Sequence, residues 1–291
     1  WLFYNATNGV YYPGHGGGAA TQHSYCTNIS WSDAQPGDLV FYPDDSHVGI
    51  VGGKDADGND INLIADGVYD RGKTIDIGAQ GLNGWLWGLI TLDSMKYNIP
   101  AGSSYTRTEM IKKILPFQLP DDGFNLRFAQ GSTADPDITA MAIQALAPYY
   151  RNSTFNVKDP VDKALDCLSK LQLDTGDFRS WGTRNSESVS QIIVSLCSIG
   201  VDPQNDSRFI KNGINLLDAL FYYQQEDGGF AHSYESDPGN PSAIPGESNS
   251  IATDQALLAL VAVWRQAQGM SILYDFRPGS VSAKILTPEE I

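Results

Sequence analysis

The chain has 291 residues, 42% of them apolar, which is enough for two well-packed domains of ordinary size. A formal charge of −15 disfavours nucleic acid and anionic membranes as partners. The longest apolar stretches, such as 256–264, are too short to span a bilayer, so no transmembrane segment is expected.

Trp1-Leu2-Phe3-Tyr4 reads as the interior of an amphipathic helix and not as a signal peptide, which predicts a segment upstream of residue 1. The glycine-rich run at 12–18 is a loop. With no strand before it and no helix carrying Lys-Ser/Thr after it, it is no phosphate cradle. Gln35-Pro36-Gly37-Asp38-Leu39-Val40-Phe41-Tyr42 and His47-Val48-Gly49-Ile50-Val51 read as adjacent antiparallel strands joined by a turn at Pro43-Asp44-Asp45-Ser46. His47 therefore opens the second strand, where a ring nitrogen can face a partner. The stretch 55–60 carries oxygen ligands at alternate positions, with Asp66 where a calcium loop would end. Asp60 stands where that loop needs glycine, so a hairpin turning at Asp57-Gly58 is the expectation and no metal is implied.

In the next strand, 61–66, alternation puts Asn62 and Asp66 on one face. Strand character is expected to continue through Trp85-Leu86-Trp87-Gly88-Leu89-Ile90, and the Pro, Gly and Ser of 98–104 predict a linker. Three cysteines cannot all pair. Cys167 and Cys197 sit in apolar helical patterns and read as buried thiols, while Cys26 lacks the helix start that would activate it.

The PGDLVFY and SHVGIV runs, at this short separation, resemble the second half of the NlpC-type, papain-like bacterial cell-wall cysteine peptidases. The resemblance implies a small antiparallel-sheet domain over 1–100, with His47 as the base and a nucleophilic cysteine on a helix that would precede residue 1. A polar residue on the following strand orients the imidazole in that family. Ala65 stands near that place here, so Asn62 or Asp66 substitutes from a shifted register or the third member is absent. The implied substrate is a peptidoglycan stem-peptide amide, the implied location is secreted or cell-surface, and no cofactor is implied. The chain as given is expected to be inactive.

From residue 106 the pattern becomes helical and repetitive. Gln118 to Phe124, Gln172 to Phe178 and Gln224 to Phe230 each place a glutamine six residues before a phenylalanine, and the copies are 54 and then 52 residues apart. Each follows an amphipathic helix (about 108–118, 159–172, 208–225) and precedes a more apolar one (about 136–149, 187–199, 250–265). Small residues between leucines in the second helices, Thr139 to Leu146, Val189 to Leu196 and Thr253 to Leu260, favour close packing. The fold class is thus α+β, with an all-α domain of three helix pairs over 106–277 and a linker tail at 278–291.

These repeats resemble the terpenoid-cyclase and prenyltransferase-like α/α toroids, a fold also used by surface proteins and vitamin B12 carriers. The resemblance leaves open a binding role for a corrinoid, another small molecule or a wall polymer, and also cyclase chemistry. Phe124, Phe178, Trp181 and Phe230 are candidate substrate-binding aromatics, with core packing as the alternative. Asp135-Pro136-Asp137 looks like the acidic motif of class II cyclases, but Ile138 replaces its final acid. Asp135 as a helix N-cap with Pro136 at the first helical position is the favoured reading.

Overall fold

The computed structural model describes residues 39–41, 48–50 and 77–277, apart from 100–102, 104, 128 and 130. The chain divides into two compact units, Trp1–Ile64 and Ala65–Ile291. In the first, β1 (Leu39–Phe41) pairs antiparallel with β2 (Val48–Ile50) in the register Leu39↔Ile50, Val40↔Gly49 and Phe41↔Val48, as the two motifs predict. His47, Asn62, Asp66, Cys26, the stretches at 12–18 and 55–60, and the tail at 278–291 lie outside the described residues.

The described part of the second unit contains seven α-helices: α1 (Leu82–Ser94), α2 (Arg107–Ile114), α3 (Pro136–Leu146), α4 (Lys158–Leu171), α5 (Ser186–Ile199), α6 (Leu216–Phe221) and α7 (Ser250–Ala267). A two-stranded hairpin, β3 (Arg179–Ser180) with β4 (Thr183–Arg184), sits between α4 and α5. None of the helices is long and apolar enough to cross a membrane. Side-chain caps fix most helix starts: Thr106, Asp135, Asn185, Asn215 and Asn249 each accept a backbone N–H from the first turn of α2, α3, α5, α6 and α7.

The helices form two rows. In one, α1 packs on α3, α3 on α5 and α5 on α7; in the other, α2 lies against α1, α4 against α3 and α6 against α5. One continuous core runs through all of them, from Leu82 to Leu273. The expected strand at 85–90 is therefore a helix. Leu82, Trp85, Leu86, Leu89 and Ile90 recur at helical spacing and are all buried. Gly84, which weakens helix propensity there, serves contact instead, since a Cβ on it would lie 1.9 Å from the Ile77 carbonyl oxygen; just ahead of the helix, a Cβ on Gly78 would lie 2.2 Å from the Trp85 ring. The helix expected over 208–225 is also corrected. It is shortened to α6, because Asn212 and Gly213 take positive φ in a tight turn closed by the Lys211↔Ile214 bridge.

The repeated Gln-to-Phe segments are the turns that join the rows. In each, the residue four after the glutamine has positive φ (Asp122, Gly176, Gly228), and the second residue donates to the carbonyl of the sixth. The side chain of Gln118 donates to Asp122 O and to Pro160 O, both at 2.8 Å. Gln172 repeats the pattern, to Gly176 O at 2.8 Å and Phe209 O at 3.0 Å. One carboxamide thus closes its own turn and grips the backbone leading into, or starting, the next repeat. Glutamine suits this because its NH₂ offers two donors. In the third copy Gln224 is exposed.

One repeated position of the α1–α3–α5–α7 row shows where the array opens. Ile143 of α3 and Ile193 of α5 are fully buried, yet Leu257, the same position of α7, is 59% exposed. Beyond α7 the chain turns back to α1: Phe276 N–H donates to Ser94 O at 2.8 Å, and Tyr274 meets Trp87 edge-on at 6.0 Å.

Removing the clamp should be costly where it is buried. Gln172→Ala strands two carbonyls and is expected to cost about 2 kcal/mol in denaturant unfolding, Gln118→Ala somewhat less, and Gln224→Ala under about 0.5 kcal/mol. Equal effects at all three positions would contradict the clamp.

Candidate functional site

The starts of α3 and α5 lie side by side at one end of the rows, and polar side chains converge there. Asp135 is the α3 cap: its Oδ1 accepts Ile138 N–H at 3.0 Å, and its Oδ2 accepts the Ser180 hydroxyl at 2.7 Å from β3. With Pro136 at the first helical position, the capping geometry is the one the sequence favoured. Asp137 follows in the first turn. Its Oδ1 is buried without a hydrogen-bond partner, as is the Oγ of Ser188 in α5.

Burial pushes the Asp137 pKa up to about 7, and the charge of Asp135 adds to the shift. The hydroxyls of Ser188 and Ser180 lie near enough to favour the anion but do not offset those two effects. A carboxyl next to a capping carboxylate is thus kept largely protonated below neutral pH.

Glu187 occupies in α5 the place of Asp137 in α3, two residues after the cap. Its two oxygens lie 2.8 and 2.9 Å from His232 Nδ1, while His232 Nε2 lies 3.1 Å from Asp237 Oδ2. The loop carrying His232 is pinned to α5: Ser186 N–H donates to His232 O at 3.0 Å, and Ser186 Oγ donates to Ala231 O at 2.8 Å. The hydrogen bond to Glu187 first, then the charges of Glu187 and Asp237, raise the His232 pKa against the opposing effect of its burial. Both ring nitrogens are engaged, so this imidazole holds a charge in place and is not free to act as a base.

A third ionic group stands behind the hairpin. Asp177, buried, accepts from Arg184 Nε and Nη2, from Thr175 and from Tyr223 Oη at 2.7 Å. Burial alone would raise its pKa, but these donors overcome it and hold the carboxyl below the usual range. Asp177 takes the place that Gly123 and Gly229 hold in the other turns. A Cβ on Gly123 would lie 2.3 Å from Ala134 Cβ, and one on Gly229 would lie 2.5 Å from Ser248 Oγ.

Of the four candidate aromatics, Phe124, Phe178 and Phe230 are buried in the core. The backbone N–H groups of Phe124 and Phe230 donate to Thr139 and Thr253 of the following helices, both at 2.9 Å. These rings pack in the core, which is the alternative the sequence offered for them. Trp181, at the tip of the β3–β4 hairpin, is 79% exposed. The structure brings Asp135 and Asp137 together with Ser180, Ser188 and Glu187.

Sequence reasoning missed Glu187, His232 and Asp237. The available signal was the matching position of Glu187 and Asp137 after their caps. Cys167 and Cys197 are free and buried, and burial pushes their thiols up to about 11 and about 12, which removes both as nucleophiles. Among the described residues, no group of three or more His, Cys, Asp or Glu is placed to hold a metal ion. At the opposite end of the rows, a cleft of about 590 Å³ opens between Asp93, Arg107, Tyr149 and the returning segment at Tyr274.

No protein-family model matches the chain, and no curated protein sequence matches it.

Two stability measurements check this description. Asp137 binds its proton more tightly folded than unfolded, so its ionisation weakens the fold as pH rises from about 4 to about 7, with no further loss above. Asp137→Asn should therefore melt higher than the wild type by a margin that grows over that window and then levels; a margin flat in pH would refute the raised pKa. At the cap, Asp135→Ala should cost about 1 kcal/mol or more, and Asp135→Asn, which can still accept from Ile138 N–H, clearly less.

Proposed function

We propose that the protein belongs to a bacterial secreted or cell-surface amide hydrolase acting on peptidoglycan stem peptides, with the helical unit serving to bind wall material. The observation that supports the reading is the antiparallel pairing of Leu39–Phe41 with Val48–Ile50, the described parts of the PGDLVFY and HVGIV runs. In that chemistry a cysteine thiolate attacks the amide carbonyl, and a backbone N–H holds the oxyanion. His47 passes the proton to the leaving amine, with Asn62 or Asp66 orienting its ring. The binding role of the helical unit is supported by Trp181, a large side chain left in solvent beside a polar cluster.

A second reading has one observation in its favour. The Asp137 carboxyl, pushed up to about 7, is the kind of acid that alkene protonation by a cyclase would use. Against it, Asp135 is spent as a cap and the repeat phenylalanines are buried in the core.

The discriminating assay is release of new amino groups from purified peptidoglycan by the polypeptide carrying a cysteine-bearing helix ahead of residue 1. His47→Ala should abolish release without changing the melting temperature. Full activity in that variant would sink the hydrolase reading, and turnover of a linear isoprenoid that is lost in Asp137→Asn would favour the cyclase.

A further inference from the structure

The turn between β3 and β4 consists of Trp181 and Gly182, and both have positive φ, +50° and +94°. That is the signature of a type I′ turn, where Asn-Gly is the favoured pair and a bulky aromatic in the left-handed region is strained. The strained residue is also the most exposed large apolar side chain described, at 79%. Strain and exposure together are unfavourable for folding alone, and they occur on a hairpin that is firmly held. Arg179 forms a two-pronged ion pair with Glu235 at 2.8 and 3.0 Å, Ser180 is tied to Asp135, and Arg184 is tied to Asp177. A rigid mount presenting an aromatic ring to solvent is the arrangement that function, not packing, accounts for.

More rings stand in the same neighbourhood. Glu235, which holds the hairpin, follows Tyr234, and Asp177 behind the hairpin accepts from Tyr223. Tyr234 stacks on the buried Tyr223 at 5.9 Å and meets Tyr222 at 5.0 Å. Its hydroxyl accepts from Gln225 Nε2 at 3.0 Å, and Gly246 leaves room for its ring, since a Cβ there would lie 3.2 Å away. Tyr222 is 58% exposed and Tyr234 45%. This rim presents aromatics edged by Arg179, Glu235 and Gln225. Of the exposed large aliphatic side chains, Ile251, Leu257 and Leu258 lie elsewhere, on α7, and Ile244 alone lies in the loop beside Tyr234.

We infer that the rim is a carbohydrate-binding platform: the faces of Trp181, Tyr222 and Tyr234 take the apolar C–H faces of pyranose rings, and Glu235, Arg179 and Gln225 hydrogen-bond the ring hydroxyls and acetamido groups. A neutral glycan suits a chain of charge −15, which repels polyanions. The inference rests on the wall-binding part of the proposed function and narrows it to the glycan strand, as distinct from the stem peptide.

The test is calorimetric titration of the protein with a β-1,4-linked N-acetylglucosamine hexasaccharide, a glycan free of stem peptides. Saturable binding is expected, with affinity reduced about tenfold or more in Trp181→Asn, and less in Tyr222→Ala. Because asparagine suits the turn, Trp181→Asn should melt at or above the wild-type temperature, which separates lost contact from lost fold. No saturable binding by the wild type, or unchanged affinity in Trp181→Asn, would overturn the platform. In the polypeptide that carries the cysteine-bearing helix ahead of residue 1, hexasaccharide binding without peptidoglycan cleavage would count against the hydrolase reading alone, and cleavage without hexasaccharide binding against the platform alone.

Discussion

A buried backbone carbonyl has to find a donor, and in the helical unit that constraint is met at each repeat boundary by a glutamine. The turn residue with positive φ points its carbonyl inward, and the backbone leading into or starting the next outer helix offers another. The Gln118 and Gln172 carboxamides satisfy one of each. Neither helix of a pair could bury its apolar stripe alone, so stability comes from stacking pair on pair, and the glutamine sets the spacing at which they stack. The phenylalanine that ends each motif then enters the core, and in the first and third copies a threonine of the next helix receives its N–H. Turn, row spacing and helix start are thus parts of one repeating hydrogen-bond pattern.

Much of this was legible in the sequence because it repeats. The glutamine-to-phenylalanine spacing, the alternation of amphipathic and apolar helices and the cap at Asp135 were all visible as local patterns. The misreading of 85–90 has a local cause too. Two tryptophans, an isoleucine and glycines look like strand, and Gly81 offers no side-chain cap to announce a helix. Its four-residue periodicity, from Leu82 to Ile90, was the stronger signal. The Glu187–His232–Asp237 group was not legible, because 45 residues separate the first two and only folding sets the His232 loop on the start of α5. In the first unit, the pairing of β1 with β2 followed from alternation and the intervening turn.

Charge at the α3–α5 end is arranged in two contrasting ways. Asp177 accepts from the Arg184 guanidinium, Thr175 and Tyr223, which hold its carboxyl low against its burial, and Glu187 faces the His232 ring. Asp137 is buried, and that burial first, then the neighbouring Asp135, keeps its proton on to higher pH despite the hydroxyls of Ser188 and Ser180. Two buried acids within one neighbourhood therefore shift in opposite directions, Asp137 because it is buried beside another carboxyl and Asp177 because a guanidinium and two hydroxyls donate to it.

The uncovered side of α7 bears on how the protein behaves as a solute. Ile251, Leu257, Leu258 and Trp264 lie along a helix of about 27 Å, an apolar stripe that two molecules could bring together. What opposes that encounter is the −15 charge each molecule carries, and such repulsion reaches only about 10 Å at 0.1 M salt and about 3 Å at 1 M. The open end of the repeat array therefore couples colloidal stability to ionic strength: dilute buffer keeps the stripes apart, and concentrated salt lets them meet.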